Sequence, residues 1–448
     1  MKNWTGLVFL IFLSVYPIAA YAIRHGLNMD PDYVLGFTGY LLLAKFLFDK
    51  FRSGETIRIP HYLAIFGVFV VYTILTAIFV SGQFIETGAV KYFYSDPFIR
   101  SFAMLLLVEN VEFSSKALKK VIAILPIMLL IAVAVSIIQV KDPLFFRYQT
   151  FGEFESVSDD RVLYHLETTD ETIDDSKVRM LAGYRLSIYS WINELAVGID
   201  SLAIFSILLG LGAMGKKRRG VLWLASAFIS FLSSSRWIIL NFFIVSFQVV
   251  LKQKNIILNG LKYLVLLAGL VFLIASSASL VGVDIQSFVH NRLMDKGAHT
   301  RIYAFEVFSK VFPSHPIFGT GGADTPEMLR LIAGKTSQIH VGYLKLFYYY
   351  GLIGGLIYLL FLATFLYDLL LRARRSAYYG SFFAILALVI ANTTLVELDP
   401  FYHGIILAII FSRHIDNCPS SITTSPKPAV QEKHQEKMVK QPLPMLNP

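Results

Sequence analysis

Cysteine is nearly missing from this chain: Cys418, in the polar C-terminal tail, is the only one among 448 residues. No intramolecular disulfide can form, and a cysteine-based metal site is excluded. Charged residues are scarce as well, at 16%. HExxH is absent, and the histidines do not fall at metal-ligand spacing with carboxylates, so neither metal nor other cofactor is expected. The one Gly-rich turn, FGTGGAD, has no strand before it and no Lys-Ser/Thr after it, and is therefore not a P-loop.

What the chain has in abundance is apolar sequence. Hydrophobic residues make up 55% and the mean hydropathy is +0.60, outside the soluble globular range. A bilayer core of ~30 Å takes ~20 helical residues to cross, and length with flanking charge predicts about twelve spans. They lie at about Gly6–Ile23, Tyr33–Phe48, His61–Val80, Pro97–Val108, Val121–Val140, Trp191–Met214, Val221–Ser234, Trp237–Leu251, Ile256–Val283, Val341–Leu371, Ala377–Val396 and Phe401–Phe411. The first is read as a retained helix, because no small-residue cleavage site follows it.

The expected fold is thus an all-α integral membrane protein. N-terminal spans fill residues 1–140, a first long loop 141–190, central spans 191–283, a second long loop 284–340, and C-terminal spans 341–416. A disordered Pro-, Lys- and Gln-rich tail covers 417–448. The formal charge of +9 is not a nucleic-acid footprint, since most Lys and Arg sit in short clusters between apolar runs, where they set topology. Those clusters place both termini in the cytoplasm and both long loops outside.

The second long loop draws the attention. Nearly sixty residues hold four His, three Arg and the Gly-rich turn, and loops of such length are usually functional or disordered. Its Ile, Phe, Leu and Tyr content argues against disorder, so it is expected to fold over the membrane surface. Arg301 sits in HTRIYAFEVFSKVF, an amphipathic pattern with Ile302, Phe305, Phe308 and Phe312 on one side. Gly319, Gly321 and Gly322 permit close backbone approach or positive φ.

His340 stands at the start of the next apolar run, where imidazole can take a proton from a hydroxyl or serve as an interfacial anchor. Arg236, in FISFLSSSRWIILNFF, is flanked by apolar sequence on both sides. Such an arginine costs at least ~2.5–3.5 kcal/mol on insertion scales; it either faces a cavity or anion, or snorkels to headgroups. Tyr343, with Tyr348, Tyr349 and Tyr350, reads as an interfacial belt or as sugar-stacking rings. Glu194, near an outer span end, can bond a sugar or pair with a loop arginine.

Three pieces in order resemble the O-antigen polymerase and O-antigen ligase family of bacterial envelope glycosyltransferases: SSSR, then TRIYAF…HPIFGTGGAD, then QIHVGYLKLFYYYGLIGG. The resemblance covers roughly Val221 to Tyr367. It implies a glycosyltransferase-C-like plan in the bacterial cytoplasmic (inner) membrane, with the active site on the outer face. It further implies a sugar chain on undecaprenyl diphosphate as substrate, Arg236 and Arg301 holding the diphosphate, and His340 activating the acceptor hydroxyl without metal. Membrane lipid and a chain-length regulator or flippase of the same pathway are the expected partners; nucleic acid is not.

A polymerase of repeat units is the first reading, favoured by two sizeable outer loops. A ligase passing finished glycan to lipid A-core or to a protein uses the same residues. A transporter or flippase should show two related halves and polar residues near mid-membrane, whereas here the polar residues concentrate in outer loops.

Overall fold

The computed structural model describes residues 4–139, 145–146, 196–212, 216–232, 236–251, 258–261, 265, 269, 299–332, 339, 341–394, 398 and 400–417. Every regular element among them is helical. The first long loop apart from 145–146, most of the ninth expected span, residues 284–298, Glu194, His340 and the tail from 418 lie outside the described residues, as does the side chain of Arg236.

Three described helices are long and apolar enough to cross a bilayer: His61–Phe79, Ser115–Gln139 and Gly342–Ser376. Each coincides closely with an expected span. Their lipid-side positions remain apolar and exposed, as Val68, Val71, Leu75, Ile127, Leu130, Leu356 and Leu360 show; a water-soluble fold would have to cover such surface.

The first expected span is not straight. It consists of helices Trp4–Ser14 and Tyr16–Leu27 meeting at 86°. Ser14 turns its hydroxyl back onto the Leu10 carbonyl (2.7 Å), and Pro17 in the first turn of the second helix supplies no N–H to bridge the bend. The second expected span is helix Pro31–Ser53, opened by Asp30, whose carboxylate accepts from Asp32 N–H, and closed by Gly54 at φ 67°. The fourth is helix Pro97–Asn110, whose 14 residues rise only about 21 Å. The segment between the third and fourth folds as two short helices, Gln83–Thr87 and Ala89–Ser95, with Gly82 and Gly88 at positive φ before each.

Shorter apolar helices fill the centre of the bundle. Helix Ala196–Leu211 lies against Gly380–Ala391 and His403–Asn417, and its approach to the first of these depends on small residues. A Cβ on Gly210 would come within 2.7 Å of the Gly380 backbone, and Ser206 donates to the Gly380 carbonyl at 2.6 Å. Close backbone packing of this kind substitutes for the hydrophobic drive that lipid cannot provide.

A buried ionic knot ties four helices together. Glu109, fully buried, accepts from Arg372 at 2.9 Å and from the Tyr62 hydroxyl at 2.7 Å. Asp368 lies 2.6 Å from the same guanidinium, and Arg413 donates to the carbonyls of Val108 and Val111. Removing one partner of a buried pair costs about 3–5 kcal/mol, because an uncompensated charge stays behind. Glu109→Ala should therefore lower the thermal midpoint of the detergent-solubilised protein strongly, whereas the double exchange Glu109→Leu, Arg372→Met should lose much less. Equal losses in both variants would show that the knot is not what the Glu109 side chain supplies.

Candidate functional site

The described part of the second long loop has its own small core. Helix His299–Val311 continues through a 3₁₀ turn, Phe312–Ser314, into the Gly-rich segment and a short helix, Pro326–Ile332. Ala304, Val307 and Val311 pack with Met328, Ile332, Ile339, Val341 and Tyr348. The expected amphipathic helix is present, but its buried face is a different one. Small and β-branched side chains point inward, while Ile302 and Phe305 are each 57% exposed. Tyr303 and Phe308 pack against the margin of this core, while Ile317 and Phe318 of the following segment are exposed like Ile302 and Phe305. Arg301 lies on this helix, partly buried.

The Gly-rich turn locks into helix Gly342–Ser376 at a break. Gly351 has φ 62° and ψ −169°, a combination essentially confined to glycine. The break prevents Leu352 and Ile353 from bonding to the carbonyls of Tyr348 and Tyr349 one turn back. The turn replaces both halves of those lost bonds. Leu352 N–H donates to Pro316 O (2.8 Å) and Ile353 N–H to Ile317 O (3.3 Å), while Thr320 N–H donates to Tyr348 O (3.1 Å) and Gly321 N–H to Tyr349 O (2.9 Å). Tyr72, on helix 61–79, donates to the Tyr350 carbonyl at 2.9 Å, and Ser81 to the Gly321 carbonyl at 3.0 Å.

The contact is too close for side chains. A Cβ on Gly319 would lie 2.3 Å from Tyr349 O, and one on Gly351 would lie 2.2 Å from Ile317 O. With Gly319 N–H donating to His315 O as well, these amides are engaged with carbonyls and do not form an open anion nest.

The aromatic run is likewise engaged by hydrogen bonds within the protein. Tyr343 donates to Val389 O at 2.7 Å and Tyr349 to Asp324 at 2.8 Å. Tyr348 meets the Thr325 hydroxyl at 2.9 Å and Thr325 N–H at 3.0 Å. Tyr348 and Tyr350 are buried. Packing against the docked turn and its flanks accounts for the burial of Tyr348 and Tyr350.

A cavity of about 380 Å³ opens where the turn, the entry of helix 342–376 and the 83–98 segment meet. Gly321 and Gly322 form one wall, and Lys345, Tyr349 and Tyr350 another. Gln83, Thr87, Tyr92 and Asp96 close it from the N-terminal half. Asp96 caps helix 97–110, accepting from Ile99 N–H at 2.9 Å. Burial pushes its carboxyl above the usual range, against the opposing pull of the Ile99 and Phe98 amides, Tyr92 and Arg100.

Of the residues singled out from sequence, Gly321 and Gly322 thus share the cavity, Gly319 sits behind it against Tyr349, and Tyr343 bonds a different helix. Arg236 heads helix Arg236–Ser246, beside the buried Trp237. Among the described residues no three His, Cys, Asp or Glu side chains gather to hold a metal ion.

Two contributions escaped the sequence reading. The first is the 83–98 wall, whose signal was the Ser-Asp-Pro that marks a capped helix start. The second is Arg100, one turn below Asp96, whose guanidinium lies 5.4 Å from the Tyr33 ring and 5.2 Å from the Phe401 ring. Its Nε and Nη1 are buried without a hydrogen-bond partner.

Residues 220–359 match the family model described as O-antigen ligase. The matched stretch takes in the arginine step at 236, the docked turn and the Gly351 break. No curated protein matches the chain.

The interlock makes a direct prediction. Gly351→Ala forces a Cβ into the Ile317 carbonyl and a left-handed backbone onto alanine, a strain of at least ~1–3 kcal/mol. The 299–332 unit should then become more readily cut by limited proteolysis in membranes, and transfer activity should fall. Gly220→Ala, where a Cβ meets nothing within 4 Å, should leave both unchanged. A Gly351→Ala protein as resistant as wild type would show that the break does not anchor the turn.

Proposed function

We propose that this protein, which carries the domain of the O-antigen polymerase and ligase family at residues 220–359, joins lipid-linked oligosaccharide repeat units into O-antigen, capsule or exopolysaccharide. Its donor in this reading is a glycan on undecaprenyl diphosphate. The remaining apolar stretches complete about twelve spans, with both termini cytoplasmic and the active site on the outer face of the inner membrane.

The observation that carries the reading is a shared core. Ile339 and Val341, the neighbours of His340 in sequence, are buried together with Ala304 and Val307 of the helix bearing Arg301. The helix bearing Arg301 and the two residues that flank His340 in the chain thereby share one core, and that core is fixed to a membrane helix through the glycine turn. Exposed Ile302, Phe305, Ile317 and Phe318 give the unit an apolar surface suited to the bilayer boundary.

The chemistry follows from the groups. The acceptor hydroxyl attacks the anomeric carbon of the donor, its proton passing to His340. The bond from that carbon to the diphosphate oxygen breaks, and the configuration inverts. Arg236 and Arg301 hold the diphosphate, whose charge grows as it leaves, and guanidinium forks suit its oxygens. No metal takes part in this scheme.

The ligase reading stays beside it because the matched family is described as O-antigen ligase, and donor and residues would be the same. His340→Ala, expressed at wild-type membrane level, should lose ~10²–10⁴-fold in transfer. Long polymer should vanish from the cells' glycan profile while a single repeat still reaches its acceptor. Polymer that accumulates on the carrier without reaching an acceptor would make the protein a ligase, and a wild-type profile would remove His340 from the mechanism.

A further inference from the structure

We propose that the cavity between the docked turn and the 83–98 segment seats the acceptor glycan, and that this segment, outside the matched domain, selects which glycan is accepted. The proposal rests on the glycosyl-transfer reading and adds the acceptor site to it.

Size and lining point to a sugar. A volume of about 380 Å³ falls within the ~300–1,000 Å³ usual for small-molecule sites and leaves room for a mono- or disaccharide end. Tyr349, Tyr350 and Tyr92 offer ring faces and edges to the C–H side of a pyranose. Gln83, Asp96 and Lys345 offer an amide, a carboxylate and an ammonium, the mixture of donors and acceptors that hydroxyl groups need. A Cβ on Gly322 would lie 3.5 Å from both Gln83 Oε1 and the Tyr350 hydroxyl. Those two polar atoms therefore flank a glycine whose missing side chain keeps the space open.

Charge separates acceptor from donor. Asp96 and Lys345 are the carboxylate and the ammonium of the lining, so their formal charges cancel. A diphosphate would call for several cations, and no arginine lines this cavity. The place is suited to a glycan end lying apart from any lipid phosphate. Lys345 is also only five residues beyond His340 in the chain, so the cavity opens at the helix entry that follows the proposed base.

The contribution of the N-terminal half is what makes the site selective. Helices 83–87 and 89–95 are short and end at glycines or at the Asp96 cap. Their side chains can change without disturbing a span, whereas the opposite wall is constrained by the Gly351 interlock.

The test uses full-length protein in nanodiscs. The probe is the free repeat-unit oligosaccharide released by mild acid from the cells' own lipid-linked pool. Binding is followed by isothermal titration calorimetry, separately from turnover. Gln83→Ala and Asp96→Asn, the latter retaining the helix cap, should each weaken binding about tenfold, the equivalent of ~1.4 kcal/mol. Thr87→Trp, which fills the cavity, should abolish it. In turnover the same variants should raise KM for acceptor with little change in KM for donor.

His340→Ala should bind the oligosaccharide as wild type does. Wild-type protein that fails to bind the probe, or Gln83→Ala and Asp96→Asn proteins that bind it unchanged, would overturn the assignment. Turnover that survives His340→Ala would instead refute the base while leaving the acceptor site standing.

Discussion

A helix interrupted inside an apolar bundle releases peptide groups for which hydrocarbon has no partners, at several kcal/mol for each group left bare. Helix Gly342–Ser376 tolerates its break because the glycine turn supplies two carbonyls and two N–H groups in the required register. This exchange is the constraint on which the site depends. It holds the Arg301 helix, the cavity wall and the start of the helix after His340 in one arrangement. The 25 residues beyond the break still rise about 38 Å, enough to cross a bilayer, so the interruption leaves the span intact.

The same constraint explains why glycine occurs at both ends of the contact. Gly319 faces the Tyr349 carbonyl and Gly351 faces the Ile317 carbonyl, each too close for a Cβ. Their use here is backbone docking, and the amides that might have bound phosphate are already committed. Anion binding in the proposed mechanism therefore falls to arginine side chains, which neutralise a diphosphate more effectively than a few neutral amides.

Elsewhere the bundle relies on two further devices suited to its solvent. Small residues bring the 196–211 and 380–391 helices to backbone contact, and the Glu109–Arg372 knot sits where no water could solvate it. The second of these joins helix 97–110 to helix 342–376, the two long helices that contribute to the cavity lining. The walls of the cavity are then free to differ in origin, one belonging to the matched domain and the other to the N-terminal half.

Much of this was legible in the sequence, and what was legible is local. Apolar runs such as His61–Val80 and Val121–Val140 mark spans because length and hydropathy are properties of a continuous segment. The order of Arg236, Arg301, the Gly-rich turn and His340 carries the family resemblance, and residues 220–359 match the O-antigen ligase model. Other features depend on partners distant in the chain. Tyr349 and Asp324, Tyr72 and Tyr350, and Gly319 and Gly351 meet only after folding, so no window of sequence shows that the tyrosines are buried or that the glycines pair. Periodicity around Arg301 announced a helix but not which face would be covered, since that depended on the partners Met328, Ile332, Ile339 and Tyr348. The 83–98 wall became visible only once the fold carried it beside the turn. The sequence by itself determined membrane class and principal spans, because each follows from a contiguous run of residues. The tertiary structure alone decided where a substrate can sit, because a cavity belongs to no single segment and exists only between them.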